Sequence, residues 1–399
     1  MEGFKRLFGD GFRAFFMAAG IFAVAAVLVW EIWLGTQLSD STAIALPVAI
    51  PAAQWHAHEM IFGYAGAAIG GFLMTAVPTW TGSAADARRF IVVAVMVWLA
   101  GRIAVATSGV LPPVLVAVVD LAFQPLVAAR IAAQLVKRPK PQNLMFLLFV
   151  TLLWTSNLLV HLEWTGATQG TLFPGLRAGL LSLCAMISVL GGRVTPGFTR
   201  NAMKRDGVDE SLWPHPPRAA APIANGLTVL IPFLLLIGAP DRIVGVAALA
   251  AGIAQLVRLS CWRSAWTWRS PILAALHLSM LMLGVGLALW GGGYMGLADE
   301  VAGLHVLGIG AVGGMTLAVM SRAILGHTGR ALVAPGPVAV AYGLIALSAV
   351  CRWFGSYLAG TGYLAMMLAS GAIWITAFAL FLLALGPAML APRLARQSP

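Results

Sequence analysis

Charged residues are scarce in this sequence, and this scarcity limits the environments in which it can fold. Only 10% of the residues are Asp, Glu, Lys or Arg, whereas soluble proteins average about 25%. Hydrophobic residues make up 60% of the chain. Most side chains must therefore contact lipid or other helices, which excludes an ordinary soluble domain.

Cysteine is scarce as well, and its spacing excludes several kinds of redox site. The 399 residues include only Cys184, Cys261 and Cys351, with no CxxC or CxxCH pattern. The sequence therefore lacks the ligands of an iron–sulfur cluster, the attachment site of a c-type haem and the framework of a disulfide-rich protein. Any redox cofactor must be held by other side chains.

Long apolar runs are abundant instead. Most of them approach the roughly 20 residues that a helix needs to cross the hydrocarbon core of a membrane. We predict an all-α polytopic membrane protein with about twelve transmembrane helices in one bundle. Helices 1–6 fall in residues 1–192, an inner loop in 193–220 and helices 7–12 in 221–399. The spans are near 13–34, 55–78, 90–108, 112–135, 143–161, 173–192, 221–238, 242–259, 271–290, 302–324, 335–354 and 363–387.

Basic residues indicate the orientation of these helices. If the N-terminus is cytoplasmic, all but four of the 25 Lys and Arg residues fall on the inner side. The exceptions are Arg102, Arg177, Arg242 and Arg352. Because cytoplasmic loops are rich in Lys and Arg, this asymmetry predicts that both termini are cytoplasmic. The net charge of +11 is then a topology signal, and nucleic-acid binding is not expected.

Histidines carry the clearest sign of chemistry, beginning with QWHAHEM at residues 54–60. With the predicted topology, His56, His58, His161 and His305 all fall near the outer side. Ionisable groups in membrane spans are costly and often functional, and imidazole is a common ligand of haem iron and copper. These four residues are our main candidate metal ligands, and His277 and His327 are further candidates. Interfacial side chains bonded to water are the alternative.

The spacing of His56 and His58 restricts how they can bind metal. Residues two apart on a regular helix point about 200° apart, so the two rings cannot grip one ion. The two histidines can bind two different prosthetic groups. Alternatively, one histidine binds a metal and the other only supports that site without touching the metal. Haem–copper oxidases use an HxH pair between two haems, and their architecture is a distant likeness of this chain. Against that likeness, the chain has no adjacent histidine pair.

Carboxylates and arginines near these histidines are the other candidates. Glu59 shares a helical face with His56 and can relay protons or orient an imidazole, so we interpret it as the candidate catalytic carboxylate. Asp120 and Glu31 remain open between proton carriers and structural partners. Arg102 and Arg352 can pair with haem propionates, because guanidinium suits anionic carboxylates. Snorkelling to the membrane surface is the alternative for both.

Four stretches of the sequence resemble the NnrS family of bacterial membrane proteins. They are GDGFRAFFMAAGIFA at 9–23, WHAHEMIFGYAGAAIGGFLMTAVPTWTG at 55–82, GGRVTPGFTRN at 191–201 and HVLGIGAVGGMTLAVMSRAILGHTGR at 305–330. The resemblance implies a protein of the bacterial inner membrane that contains haem b and copper and lessens nitric oxide toxicity in denitrification. It marks these candidate site residues: His56, His58, Glu59, His305, Arg322, His327 and Arg330.

The resemblance implies nitric oxide as the substrate, and three functions are open. The first is reduction of nitric oxide to nitrous oxide by an oxidoreductase that takes electrons from quinol or a separate donor. The second is a non-catalytic haem-based sensor or metal-handling protein. The third is a transporter, since twelve helices describe many carriers. Membrane lipid surrounds the protein in every case, and assembly into a homo-oligomer is left open.

Overall fold

In a computed structural model, which describes residues 2–38, 47–137 and 141–395, the chain folds almost entirely into helices. No strand occurs in these ranges. Eleven helical segments within them are long and apolar enough to cross a membrane. The predicted all-α polytopic fold is therefore confirmed. The segments are Gly11–Thr36, Ala52–Thr81, Arg88–Ala106, Pro113–Leu135, Asn143–Trp164, Leu172–Arg205, Asp241–Ser260, Pro271–Tyr294, Glu300–His327, Gly336–Gly355 and Gly360–Leu390.

The seventh predicted span, 221–238, corresponds to a shorter helix. Ala220–Leu236 has 17 residues and lies one short turn before the next spanning helix. Its length is marginal for a membrane crossing, because a helix rises about 1.5 Å per residue and the hydrocarbon core is about 30 Å thick. The twelve predicted spans therefore become eleven long helices and one short apolar helix.

The α-helices have the following bounds within the described ranges. They are α1 Glu2–Leu7, α2 Gly11–Leu38, α3 Ala52–His58, α4 Ala65–Thr81, α5 Arg88–Ala106, α6 Pro113–Leu121, α7 Phe123–Leu135, α8 Pro141–Trp164, α9 Leu172–Arg205, α10 Ala220–Leu236, α11 Asp241–Ser260, α12 Pro271–Tyr294, α13 Glu300–His305, α14 Gly314–His327, α15 Gly336–Gly355 and α16 Gly360–Leu390.

Two of the spans are interrupted by a π-helical turn. Glu59–Tyr64 joins α3 to α4, and Val306–Gly313 joins α13 to α14. In both spans the turn begins at the residue that follows a candidate histidine, His58 or His305. A π-helical turn has a wider hydrogen-bonding step than an α-helix and is frequent at functional sites. The direction of the side chains at these turns therefore cannot be taken from regular α-helical spacing.

The chain divides into two compact units. The first contains Met1–Gly179, Arg322–Ala331 and Phe378–Pro399, and the second contains Leu180–Ser321 and Leu332–Ala377. That all of these residues form one bundle remains a prediction. In the first unit, α2 packs closely on α4, because a Cβ at Gly71 would lie 2.8 Å from Phe15 and 2.9 Å from Phe16.

In the second unit, glycines bring α11 and α12 into backbone contact. A Cβ at Gly252 would lie 2.6 Å from the carbonyl oxygen of Gly284, and a Cβ at Gly291 would lie 2.7 Å from that of Gly245. Small residues let membrane helices approach until their backbones touch, and van der Waals packing then holds them together. The paired glycines of this unit therefore serve helix packing.

The first part of the polar connection predicted at 193–220 is helical, so the connection begins only after Arg205. Helix α9 continues to Arg205 and contains Pro196. A proline removes the amide that would bond the carbonyl four residues earlier, here that of Gly192. Arg258 donates from Nη2 to this carbonyl oxygen at 2.8 Å and thus replaces the missing amide. The helix persists because a side chain from α11 satisfies its backbone.

Arg258 has polar partners but, among the residues that the structure describes, no carboxylate partner. It is 2% exposed and also donates to Asn225 Oδ1 at 2.8 Å and to the carbonyl oxygen of Ser188 at 3.1 Å. Its guanidinium carbon lies 5.1 Å from the ring centre of Trp262. A buried cation is costly unless its donors are used. Carbonyl oxygens and an aromatic ring thus hold this arginine in the second unit.

We expect Arg258→Met to lower the apparent melting temperature of the purified protein in detergent. The change leaves the Gly192 carbonyl without a donor, at a cost of about 1–3 kcal/mol. In a Pro196→Ala background the amide of residue 196 can bond this carbonyl, so Arg258→Met should cost less there. Equal losses of melting temperature in both backgrounds would contradict this account.

Candidate functional site

The site is built around His58, which ends α3 where the π-helical turn begins. His58 is fully buried, and its neighbour Glu59 is 1% exposed. The Nδ1 atom of His58 lies 2.9 Å from Glu59 Oε1. Adjacent residues on a regular helix point about 100° apart. The contact lies where the hydrogen-bonding pattern changes from α-helical to π-helical.

A guanidinium from α5 joins this pair to a second carboxylate. Arg102 donates from Nη1 to Glu59 Oε1 at 2.5 Å, and its Nη2 forms a short ion pair with Asp120 Oδ1 of α6. Two glycines make room for it. A Cβ at Gly63 would lie 2.8 Å from Arg102 Nη1, and a Cβ at Gly101 would lie 2.9 Å from Asp120 Oδ1. Arg102 therefore connects three helical segments.

Two residues of α8 complete the arrangement. Asn157 donates from Nδ2 to Asp120 Oδ2 at 2.8 Å, and its Oδ1 lies 2.9 Å from His58 Nε2. His161, one turn further along, places Nε2 2.8 Å from the same Asp120 oxygen. We call these six side chains, which are all at least nine-tenths buried, the buried polar cluster: His58, Glu59, Arg102, Asp120, Asn157 and His161.

Aromatic rings enclose the buried polar cluster. The ring centre of Trp164 lies 4.9 Å from that of His58 and 5.2 Å from that of His161. Phe62 covers His58 from another direction at 5.0 Å. These rings keep water away from the charges. Low local polarity strengthens every ionic contact inside and raises the cost of any charge left unpaired.

The charges of the buried polar cluster leave one position for a further cation. Two carboxylates face a single guanidinium, so one negative charge is unbalanced while both imidazoles are neutral. Both ring nitrogens of His58 face oxygen acceptors, although a neutral imidazole has only one N–H. An additional proton or a metal ion at this position would balance the charge. The arrangement therefore suits a site that exchanges one cation for another.

The geometry of three of these side chains fits a metal ion. Ligand atoms of His58, Asp120 and His161 all lie within 4.8 Å of one another. In addition, His161 Nδ1 is buried and has no hydrogen-bond partner among the described residues. When Nε2–H donates to the Asp120 carboxylate, Nδ1 carries a lone pair.

His56 lies outside this group. Its ring stacks on Trp30 of α2 with the ring centres 4.5 Å apart. The HxH spacing predicted that His56 and His58 point to different sides of the helix, and in the structure they face different partners. The structure therefore brings together His58 and His161 from the predicted histidine set and directs His56 elsewhere.

The other candidate histidines have separate surroundings. His305, in the second unit, donates from Nδ1 to the carbonyl oxygen of Val301 at 2.7 Å. His277 has Nε2 2.8 Å from Thr199 Oγ1 and Nδ1 2.9 Å from Ser264 Oγ. In the first unit, the exposed ring of His327 lies beside Phe12, with ring centres 5.3 Å apart.

The candidate arginines also have separate surroundings. Arg102 lies inside the buried polar cluster. Arg352 donates from Nη1 to Ser356 Oγ at 2.7 Å, and its guanidinium carbon lies 6.0 Å from the ring centre of Tyr363. Arg322 and Arg330 lie on either side of His327 in the chain, and both are half-buried.

Asn157 is the functional candidate that the sequence interpretation missed. It lies four residues before His161 in an apolar helix, so the two share a face. Asn157 was detectable by this spacing, because two polar residues one turn apart in a membrane span are rare. The partner of Asp120 was not detectable, because Asp120 and Arg102 are on different helices.

Comparison with known proteins gives a match over nearly the whole chain. The family model described as NnrS protein matches residues 6–393 of the 399. The match includes every residue of the buried polar cluster and all of the other candidate histidines and arginines. Among curated proteins, none matches the chain.

We expect Arg102→Met to destabilise the protein strongly, because it leaves two carboxylates buried without a cation. Breaking one partner of a buried ion pair costs about 3–5 kcal/mol. Adding Glu59→Gln and Asp120→Asn to Arg102→Met removes the two charges and should restore much of the loss. The measurement is the apparent melting temperature in detergent. A triple variant no more stable than Arg102→Met would contradict the proposed charge balance.

Proposed function

The chain belongs to the NnrS family, and from that premise we propose that it binds nitric oxide at a buried metal and reduces it to nitrous oxide. Family membership and the apolar helices fit a multi-pass membrane protein with a role connected to nitric oxide. Detoxification without that specific product is the broader form of the same proposal. The observation that supports a metal is the group formed by His58, Asp120 and His161.

The buried polar cluster suits a single metal ion better than a haem. Two imidazoles and a carboxylate are ligands that copper accepts, and copper is one of the two metals that the family resemblance implies. A porphyrin at His58 would have to displace Phe62 or Trp164, whose rings lie 5.0 and 4.9 Å from His58. We therefore assign copper, and not haem, to these three ligands.

His305 is the side chain that would best hold the iron of a haem b. Its Nδ1–H bond to the Val301 carbonyl oxygen sets the tautomer that carries the lone pair on Nε2. In the π-helical turn that follows, a Cβ at Gly308 would meet no atom within 4 Å, so the helix surface at Gly308 is open. Arg352, in the same unit, supplies a positive charge for propionates.

The proposed reaction consumes two molecules of nitric oxide, two electrons and two protons and gives nitrous oxide and water. A bound redox metal would supply the electron-transfer chemistry. Glu59 lies 2.9 Å from His58, so its carboxylate can hold a proton beside the ligand group. The electrons come from quinol or a separate donor, because the chain has no CxxCH motif.

The surroundings of the buried polar cluster suit nitric oxide as the substrate. Nitric oxide is small and nearly apolar, so it can reach a lipid-embedded site without a polar channel. His58 is fully buried and His161 is 1% exposed, so water has little access. Exclusion of water prevents side reactions of bound intermediates.

Metal analysis of single variants tests the ligand assignment. His58→Ala, His161→Ala and Asp120→Asn should each lose most of the copper that the purified protein contains. His56→Ala is the matched control, because it removes a neighbouring imidazole that faces Trp30, and it should keep its copper. If His56→Ala loses copper as fully as His161→Ala, the assignment is wrong.

The haem assignment has a separate optical test. The purified protein should show a Soret band that shifts when nitric oxide is added under reducing conditions. His305→Ala should lose this band. His277→Ala should retain it, because the His277 ring already contacts the hydroxyls of Thr199 and Ser264. With a competent electron donor, nitrous oxide should form. Haem and copper without nitrous oxide would support a sensor, and a metal-free protein that moves solute would support a transporter.

A further inference from the structure

The connection between α11 and α12 in the second unit has an unusual combination of side chains. Residues 261–270 read CWRSAWTWRS, with three tryptophans and two arginines in ten positions. We call this segment the Trp–Arg loop. It includes a 3-10 turn, Ser264–Arg269. Because both flanking helices are long enough to cross the membrane, so short a connection must lie at the boundary between hydrocarbon and water.

Several side chains of the Trp–Arg loop fix it to its own unit. Trp262 is fully buried and Thr267 is 2% exposed. The hydroxyl of Ser264 lies 2.9 Å from His277 Nδ1, and Arg258 lies over the ring of Trp262. The loop is therefore anchored on one side. A ligand that binds its other side would not have to offset the entropy cost of ordering the loop.

The opposite side of the loop is exposed and basic. Trp268 is 78% exposed, and Arg263 and Arg269 are exposed as well. Neither arginine forms an ion pair with a carboxylate in the described residues. No Asp or Glu occurs in the sequence between Asp241 and Asp299. The loop, the end of α11 that leads into it and all of α12 thus offer positive charge without an acidic residue of their own.

We propose that the exposed side of the Trp–Arg loop binds the headgroup of an anionic phospholipid. Tryptophan concentrates at membrane interfaces because its ring is apolar while its N–H needs a polar partner. Basic side chains at that level attract anionic headgroups by about 1 kcal/mol each. Trp268 would lie at the level where the acyl chains join the headgroups. Arg263 and Arg269 would pair with the phosphate. This proposal is independent of the metal sites.

Lipid binding to the delipidated full-length protein in mild detergent provides the test. Native mass spectrometry would follow titration with the anionic lipid POPG or the zwitterionic lipid POPC. The wild type should bind at least one POPG more tightly than any POPC. Arg263→Asn combined with Arg269→Gln should weaken that binding about 30-fold, given the contribution expected from two basic side chains. Asn is chosen because Arg263 has a left-handed backbone, with φ 60°.

A matched control separates this site from general attraction of basic residues. Arg88→Gln with Arg89→Gln removes two exposed arginines at the start of α5, outside the loop, and should change POPG affinity less than twofold. Trp268→Ala should weaken the binding of both POPG and POPC, because the indole ring contacts the lipid and not its charge.

Equal affinity of the wild type for POPG and POPC, or an equal loss in the two double variants, would overturn the proposal. So would displacement of POPG by millimolar inorganic phosphate, which would indicate a site for a soluble anion. If the loop double variant has a lower melting temperature, the POPG affinity of Arg269→Gln alone decides between the outcomes. Unlike Arg263, Arg269 does not have a left-handed backbone, so its substitution causes no backbone strain. Unchanged POPG affinity in that single variant would then refute the site.

Discussion

The bridge that Arg102 makes between Glu59 and Asp120 is the interaction on which the candidate site depends. Each carboxylate would be costly in a membrane-spanning helix by itself, and one guanidinium offsets both. Because the two carboxylates are on different helical segments, the same contact also fixes the position of α5 against the π-helical turn and α6. The same contact therefore determines both the charge balance of the site and the packing of these helices.

Small residues make this bridge geometrically possible. Gly63 and Gly101 leave the volume that Arg102 and Asp120 occupy, and any side chain there would collide with them. The π-helical turn begins directly after His58 and contains both Glu59 and Gly63. At Gly63 the space is filled by Phe22 and Arg102.

Buried arginines follow two different rules in this protein. Arg102 is balanced by carboxylates, whereas Arg258 is held by carbonyl oxygens and an amide. Arg13 combines both kinds of contact, since its Nε donates to Asp10 Oδ2 at 2.9 Å and its Nη1 donates to the carbonyl oxygens of Met389 and Ala391 at the end of α16. In lipid, the carbonyls at helix ends and beside prolines have no water to bond. A guanidinium, with five N–H donors, can satisfy several of them together.

The sequence alone determined the helical membrane fold, since a chain with long apolar runs and few charges can satisfy its backbone in lipid only by forming helices. Periodicity and composition also located nearly every span and singled out His58, Glu59 and His161. Regular spacing could not show the π-helical turns, nor that α9 continues past Pro196, because the compensating Arg258 is distant in sequence. The pairing of Arg102 with Asp120, the addition of Asn157 and the partners of His56 and His58 were decided by tertiary structure. They arise from contacts between helices, whose relative rotation depends on side chains far apart in the chain.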